Sequence, residues 1–263
     1  MPRPAESAFM PDASPKPFAA EGAVLRLARA RPAPRPVQVA AEPQPVEIDL
    51  AATALVVVDM QNDFLHPDGW FPQAGVDAWP LRAVIPAVRT LTEAARASGV
   101  PVVWVNWGVR ADRAELPEPI LLKAACGGTR PVYADPSVTG RGGIVVEGEW
   151  GSQVVDELAA QPRDLLVYKH RLSGFFDNEL DSVLRGRGID TLLFAGINID
   201  RCVFATLCDA TFHGYGVVLA QDACATPSPD YVRESVLYLV RLLYGATCST
   251  ADLAAALKDR KPA

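Results

Sequence analysis

Two kinds of apolar pattern alternate along most of this chain. The run Ala54 to Val58 is continuous and ends in a carboxylate, Asp59, which suits a central parallel strand buried on both faces. Leu81 to Ala97 then has helical spacing, with Pro80 in its first turn and Gly99 as its stop, and Val102 to Trp107 reads as a second strand. The rhythm resumes as helix Gly151 to Ala160, strand Leu165 to Lys169, helix Asn178 to Arg187, strand Thr191 to Ala195, helix Arg201 to His213, strand Val217 to Ala220 and helix Asp230 to Leu243. This alternation predicts a doubly wound, Rossmann-like α/β fold, a parallel sheet with helices on both faces in three layers. Ligands in that architecture bind at the carboxyl ends of strands, near the switch in strand order.

Two stretches fall outside the rhythm. Residues 1–48 hold ten prolines among many alanines and read as an N-terminal arm, within which Gly22 to Arg31 could form a short element but is expected to be extended. The body is then a single domain over 49–263. Residues 108–148 are rich in Gly, Pro and Arg without clear periodicity, which predicts a long loop region carrying substrate contacts.

A formal net charge of −6 speaks against nucleic acid or an anionic membrane as partner and leaves a small molecule as the expected ligand. No apolar run suits a signal peptide or a membrane span. Five scattered cysteines, 126, 202, 208, 224 and 248, show no paired spacing, which suits a reducing cytoplasm.

Three strand ends carry the candidate chemistry. Cys202 lies where a buried strand closed by Gly196 gives way to a helix, and the free N–H groups of a helix start favour a thiolate and can hold an oxyanion. Taken alone, a free cysteine is more often a packed small hydrophobe. Lys169 closes the strand Leu165 to Tyr168, where a cation needs a partner, and Asp59 is the natural one. Together they form a plausible nucleophile, general base and electrostatic support: Cys202 attacks a carbonyl, Asp59 takes the thiol proton, and Lys169 orients the carboxylate.

The segments Val56 to Phe64 (VVVDMQNDF), Tyr168-Lys169, and Gly196 to Val203 (GINIDRCV) resemble the isochorismatase-like cysteine hydrolases over roughly Ile48 to Leu257. The resemblance implies the doubly wound fold, an Asp-Lys-Cys triad at Asp59, Lys169 and Cys202, a cis bond between Ile197 and Asn198, and an oxyanion hole from the backbone N–H groups of Asn198 and Cys202. Gly148 to Gly151, Val155 to Leu158 and Arg171 to Phe176 look like the ureidoacrylate amidohydrolase branch, whose members cleave N-carbamoyl amides through a thioester and use no cofactor. This chain departs from that branch at Leu172, where a tyrosine is common, and at Asn106 to Arg110. Ile199 also stands where a small hydroxyl residue is frequent.

Phe64, Trp107, Trp150, Leu172 and Phe175 are candidate substrate walls, and Arg110 could clamp a substrate carboxylate or be a solvated loop charge. No metal is expected, since His66, His170 and His213 do not cluster in the sequence. The resemblance also implies a homo-oligomer, a dimer or a tetramer. A vinyl-ether hydrolase without a cysteine nucleophile, and a non-catalytic binding module on the same fold, are the alternative readings.

Overall fold

A computed structural model of the chain describes residues 32–124 and 131–258 and, as backbone, a ladder pairing Ala20–Glu21 antiparallel with Val24–Leu25. Most of Gly22 to Arg31, and Cys126, lie outside the described residues.

Strands β1 (Pro36–Val39) and β2 (Val46–Asp49) form an antiparallel hairpin. Val37, Val39 and Ile48 are buried in the main core, so the packed body reaches back across the boundary expected at 48/49. The central sheet contains β3 (Thr53–Val58), β4 (Val102–Trp107), β5 (Leu165–Lys169), β6 (Thr191–Ile197), β7 (Gly216–Ala225) and β8 (Ala246–Cys248). Its order is β8-β7-β6-β3-β4-β5 with every neighbouring pair parallel. All residues of β3 and β4 are buried, as expected of β-branched and aromatic strands covered by helices on both faces. The order reverses between β3 and β6, and their carboxyl ends, at Asp59 and Asn198, lie side by side.

The helices are α1 (Asn62–Leu65), α2 (Trp70–Gln73), α3 (Trp79–Arg82), α4 (Ile85–Ser98), α5 (Glu118–Ala124), α6 (Leu180–Gly186), α7 (Phe204–Phe212), α8 (Asp230–Leu239) and α9 (Thr250–Lys258). Several depart from the sequence expectation for identifiable reasons. The helix expected over 81–97 is two pieces, because Pro86 fits only the first turn of a helix and α4 therefore starts at Ile85; it ends as expected at Gly99, φ 77. The helix expected over 151–160 is absent. Its backbone is taken up by the chain leaving β3: Asn62 N–H donates to Gln153 O at 2.9 Å and Val155 N–H to Met60 O at 3.1 Å, leaving only single turns at Trp150–Ser152 and Asp156–Leu158. The long loop contains α5, and β8 and α9 close the fold after α8. A π-turn, Ile199–Val203, precedes α7, and another, Val240–Tyr244, extends α8. Among the described residues no helix is long and apolar enough to cross a membrane.

Gly196 shows how tightly the site end of the sheet is built. Its φ is 114, and a Cβ there would press into the backbone of Val58 on the adjacent strand. Gly196→Ala is expected to destabilise the fold by about 3 kcal/mol or more, combining left-handed strain with a backbone clash. A urea midpoint within error of wild type would contradict that packing.

Candidate active site

Asp59, Lys169 and Cys202 meet at the switch in strand order, and all three are buried, at 2%, 0% and 6% exposure. Asp59 directly follows β3 and has a left-handed backbone, φ 54, which is uncommon for a residue with a side chain and recurs at functional sites. Its N–H donates to Val105 O at 2.9 Å, tying the turn to β4.

Lys169 starts two strands away, at the end of β5. Its side chain crosses the end of β4 so that Nζ lies 4.0 Å from the centroid of the Trp107 ring and 3.0 Å from Asp59 Oδ2, and it also donates to Arg171 O at 3.3 Å. An aromatic face, a carboxylate and a carbonyl together compensate an ammonium held out of water. Asp59 Oδ1 makes no conventional hydrogen bond, and the Cys202 thiol is placed to share its proton with the same carboxylate.

The electrostatics run against one sequence expectation. Burial raises the Asp59 carboxyl, and the Lys169 ammonium offsets part of that rise. Burial, reinforced by the Asp59 charge, pushes the Cys202 thiol up to about 12. That direction favours the thiol at Cys202, against the thiolate expected from a helix start. The reason is positional: regular helix begins only at Phe204, after the π-turn, and desolvation outweighs the field of its N-terminus. The arrangement can nonetheless activate the thiol during attack, since the carboxylate beside it is an acceptor whose affinity for protons burial has already increased.

The Ile197–Asn198 peptide bond is cis. The turn that carries Cys202 is pinned from two sides. Thr206 Oγ1 donates to Cys202 O at 2.6 Å and accepts from Gly174 N–H at 2.9 Å, while Asp200 accepts from Thr226 Oγ1 at 2.6 Å and Ser228 Oγ at 2.7 Å.

The candidate substrate residues separate into two groups. Trp107 touches Lys169, and Phe64 stacks on Phe71 at 4.5 Å in α1, just after Asp59. Trp150 holds Asn62 through its carbonyl at 2.9 Å, and Leu172, half exposed, follows the Arg171 carbonyl that binds Lys169. Arg110 and Phe175 are not brought to the trio. Arg110 is spent on Asp112, with Nε and Nη2 at 2.8 and 2.6 Å from its two carboxylate oxygens, which holds that carboxyl down to about 2. Phe175 packs on His213 and Tyr215, at the end of α7 remote from Cys202.

The sequence reading missed three buried polar side chains between Asp59 and Phe64. Gln61 donates to Trp107 O and Gly151 O at 3.0 and 3.1 Å and accepts from Trp107 N–H at 2.7 Å, so it clamps the end of β4. Asn62 holds Trp150. Asp63, raised by burial, accepts from Trp70 N–H at 3.1 Å and Val145 N–H at 2.6 Å and anchors the long loop. The available signal was a row of polar residues immediately after a fully apolar strand. Among the described residues, no group of three or more His, Cys, Asp or Glu side chains could hold a metal ion.

Solved structures with this architecture include a cysteine hydrolase from Pseudomonas syringae pv. phaseolicola, 27% identical with a TM-score of 0.67 over 80% of this chain and 94% of that one. An N-carbamoylsarcosine amidase from Thermoplasma acidophilum is 28% identical, with a TM-score of 0.56 over 75% and 96%. Among sequences, the ureidoacrylate amidohydrolase RutB of Azorhizobium caulinodans is 36% identical over 230 residues, 87% of this chain and 96% of the relative. The isochorismatase domain model matches residues 53–252, a span that begins with the central strand and includes all three strand-end residues, and the chain therefore belongs to the isochorismatase family.

Proposed function

We propose that this chain is a cysteine-dependent amidohydrolase that opens a linear C–N bond of a small ureido or carbamoyl compound, of the ureidoacrylate or biuret type. That it is a hydrolase of C–N bonds other than peptide bonds follows from its family and its amidohydrolase relatives. The observation that carries the finer reading is the buried Lys169–Asp59 pair, 3.0 Å apart, beside the Cys202 thiol.

In this reading Cys202 Sγ attacks the substrate carbonyl as its proton passes to Asp59. The oxyanion is held by the backbone N–H groups of Asn198 and Cys202. Collapse expels the amine or ammonia, which takes the proton from Asp59, and leaves a thioester on Cys202. Asp59 then deprotonates a water that attacks the thioester, and the released thiol regains the proton. An attacked ureido group leaves as carbamate and decomposes to ammonia and carbon dioxide. Lys169 stays charged throughout and keeps Asp59 ionised between transfers. Nucleophile, base and counter-charge all come from side chains, so the reading assigns no cofactor. It includes a homo-oligomer and a cytoplasmic setting, where the free thiols of Cys202, Cys208, Cys224 and Cys248 stay reduced.

The test is ammonia release from ureidoacrylate, biuret, N-carbamoyl amino acids, nicotinamide and simple amides. Turnover is expected for a ureido or carbamoyl compound at a kcat/KM at least about tenfold above nicotinamide. Preference for nicotinamide, or silence on every ureido compound, would sink the substrate assignment.

A further inference from the structure

Three of the five tryptophans are buried, and two of those spend their indole N–H inside the protein. Trp70 Nε1 donates to Pro131 O at 3.0 Å, and Trp104 Nε1 donates to Asp164 Oδ2 at 3.0 Å. Trp107 is the exception. At the end of β4 and 4% exposed, it has a buried Nε1 with no hydrogen-bond partner. Leaving a buried N–H without an acceptor is costly, so the exception needs a reason.

The indole is not free to turn toward another acceptor. Gln61 holds the Trp107 backbone in both directions, accepting its N–H at 2.7 Å and donating to its carbonyl at 3.0 Å. Lys169 Nζ lies 4.0 Å from the ring centroid, and the Tyr133 ring packs against it at 5.0 Å. The ring is therefore fixed beside the Lys169–Asp59 pair. The ammonium has little left to offer a ligand, since its protons meet Asp59 Oδ2, Arg171 O and the indole face. The indole N–H is a donor still to be used.

We propose that Trp107 is a specificity-determining residue whose indole N–H donates to a second oxygen of the substrate, a carbonyl or carboxylate beyond the scissile carbonyl. This rests on the amidohydrolase reading, in which the scissile carbonyl oxygen is already claimed by the N–H groups of Asn198 and Cys202. A ligand without the second oxygen leaves the indole N–H buried and unpaired, and a polar site rejects such an analogue. Trp107 thus acts in recognition through its polar edge rather than as the apolar wall expected from the sequence.

The experiment is calorimetric titration of the full chain carrying Cys202→Ala, which holds ligands without turning them over. Biuret offers a second carbonyl, N-carbamoyl-β-alanine a carboxylate, and N-propylurea neither. One of the first two is expected to bind at least about tenfold tighter than N-propylurea, which identifies the oxygen. Adding Trp107→Phe, which keeps a ring at that position, should cut the advantage to about twofold or less. Equal affinity for all three, binding of none, or an advantage that survives Trp107→Phe overturns the proposal. If the Trp107→Phe chain fails to fold, the indole N–H signals of isotope-labelled Cys202→Ala protein decide. One of them moves downfield with the preferred ligand and not with N-propylurea, and signals indifferent to the ligand overturn the donor role. Selective binding without any turnover by wild type sinks the amidohydrolase reading instead and leaves the donor role standing.

Discussion

Cys202→Ala is expected to lower ammonia release by about 10⁴-fold or more while leaving the fold intact, because in the proposed mechanism the variant deletes the atom that forms the covalent intermediate. The thiol makes no structural ion pair, and its loss removes little buried area. Full turnover in Cys202→Ala would revive the vinyl-ether reading, and pyruvate release from isochorismate would identify it. The same residue gives a pH signature. With its thiol pushed up to about 12, unliganded Cys202 should react slowly with iodoacetamide at pH 7. The rate should climb about tenfold per pH unit to beyond pH 10, because only the thiolate reacts. A plateau reached by pH 8 would show a preformed thiolate and remove the need for Asp59 as base.

The second large effect is on stability as well as rate. Lys169→Met is expected to lower turnover at least about a hundredfold, through loss of the charge that orients and ionises Asp59. It should also destabilise the protein by about 3–5 kcal/mol near pH 8, since it strands a buried carboxylate. The pH dependence has a definite sign. Burial already raises the Asp59 carboxyl, and without the ammonium nothing offsets that rise. A group with a raised folded pKa contributes its full stability below its unfolded pKa and loses it as pH climbs through the folded value. The variant should therefore lie closest to wild type near pH 4 and fall furthest behind it above neutrality. Pairing Asp59→Asn with Lys169→Met removes both charges and should restore much of the stability but none of the activity. Wild-type melting of Lys169→Met at pH 8 would mean that the ammonium is not the counter-charge of Asp59.

Much of this molecule was legible one residue at a time. β3 and β4 were readable because a strand covered on both faces is apolar along nearly all of its length. Asp59 and Lys169 stood out because each sets a charge at the end of such a run, and Cys202 because it lies where the strand pattern gives way to a helical one. Gly99 and the end of α4 followed from local chemistry in the same way.

Where segments choose partners far along the chain, the sequence was silent. The stretch after Gly151 has an apolar spacing compatible with a helix, yet its backbone hydrogen bonds go to Met60 and Asn62, about ninety residues earlier, and no local rule encodes that preference. Gln61, Asn62 and Asp63 look like a solvated turn until Trp107, Trp150 and Val145 close over them. Arg110 reads as a free cation until Asp112 occupies its guanidinium. The Cys202 thiol is the plainest case: the local rule of a helix start favours thiolate, and burial by distant elements pushes the opposite way. The sequence by itself determined strands β3 to β7 and marked Asp59, Lys169 and Cys202 as side chains at strand ends, because periodicity and strand ends are local properties. Only the tertiary structure decided which polar groups face one another and in what charge state, because desolvation and pairing depend on neighbours that chain order does not specify.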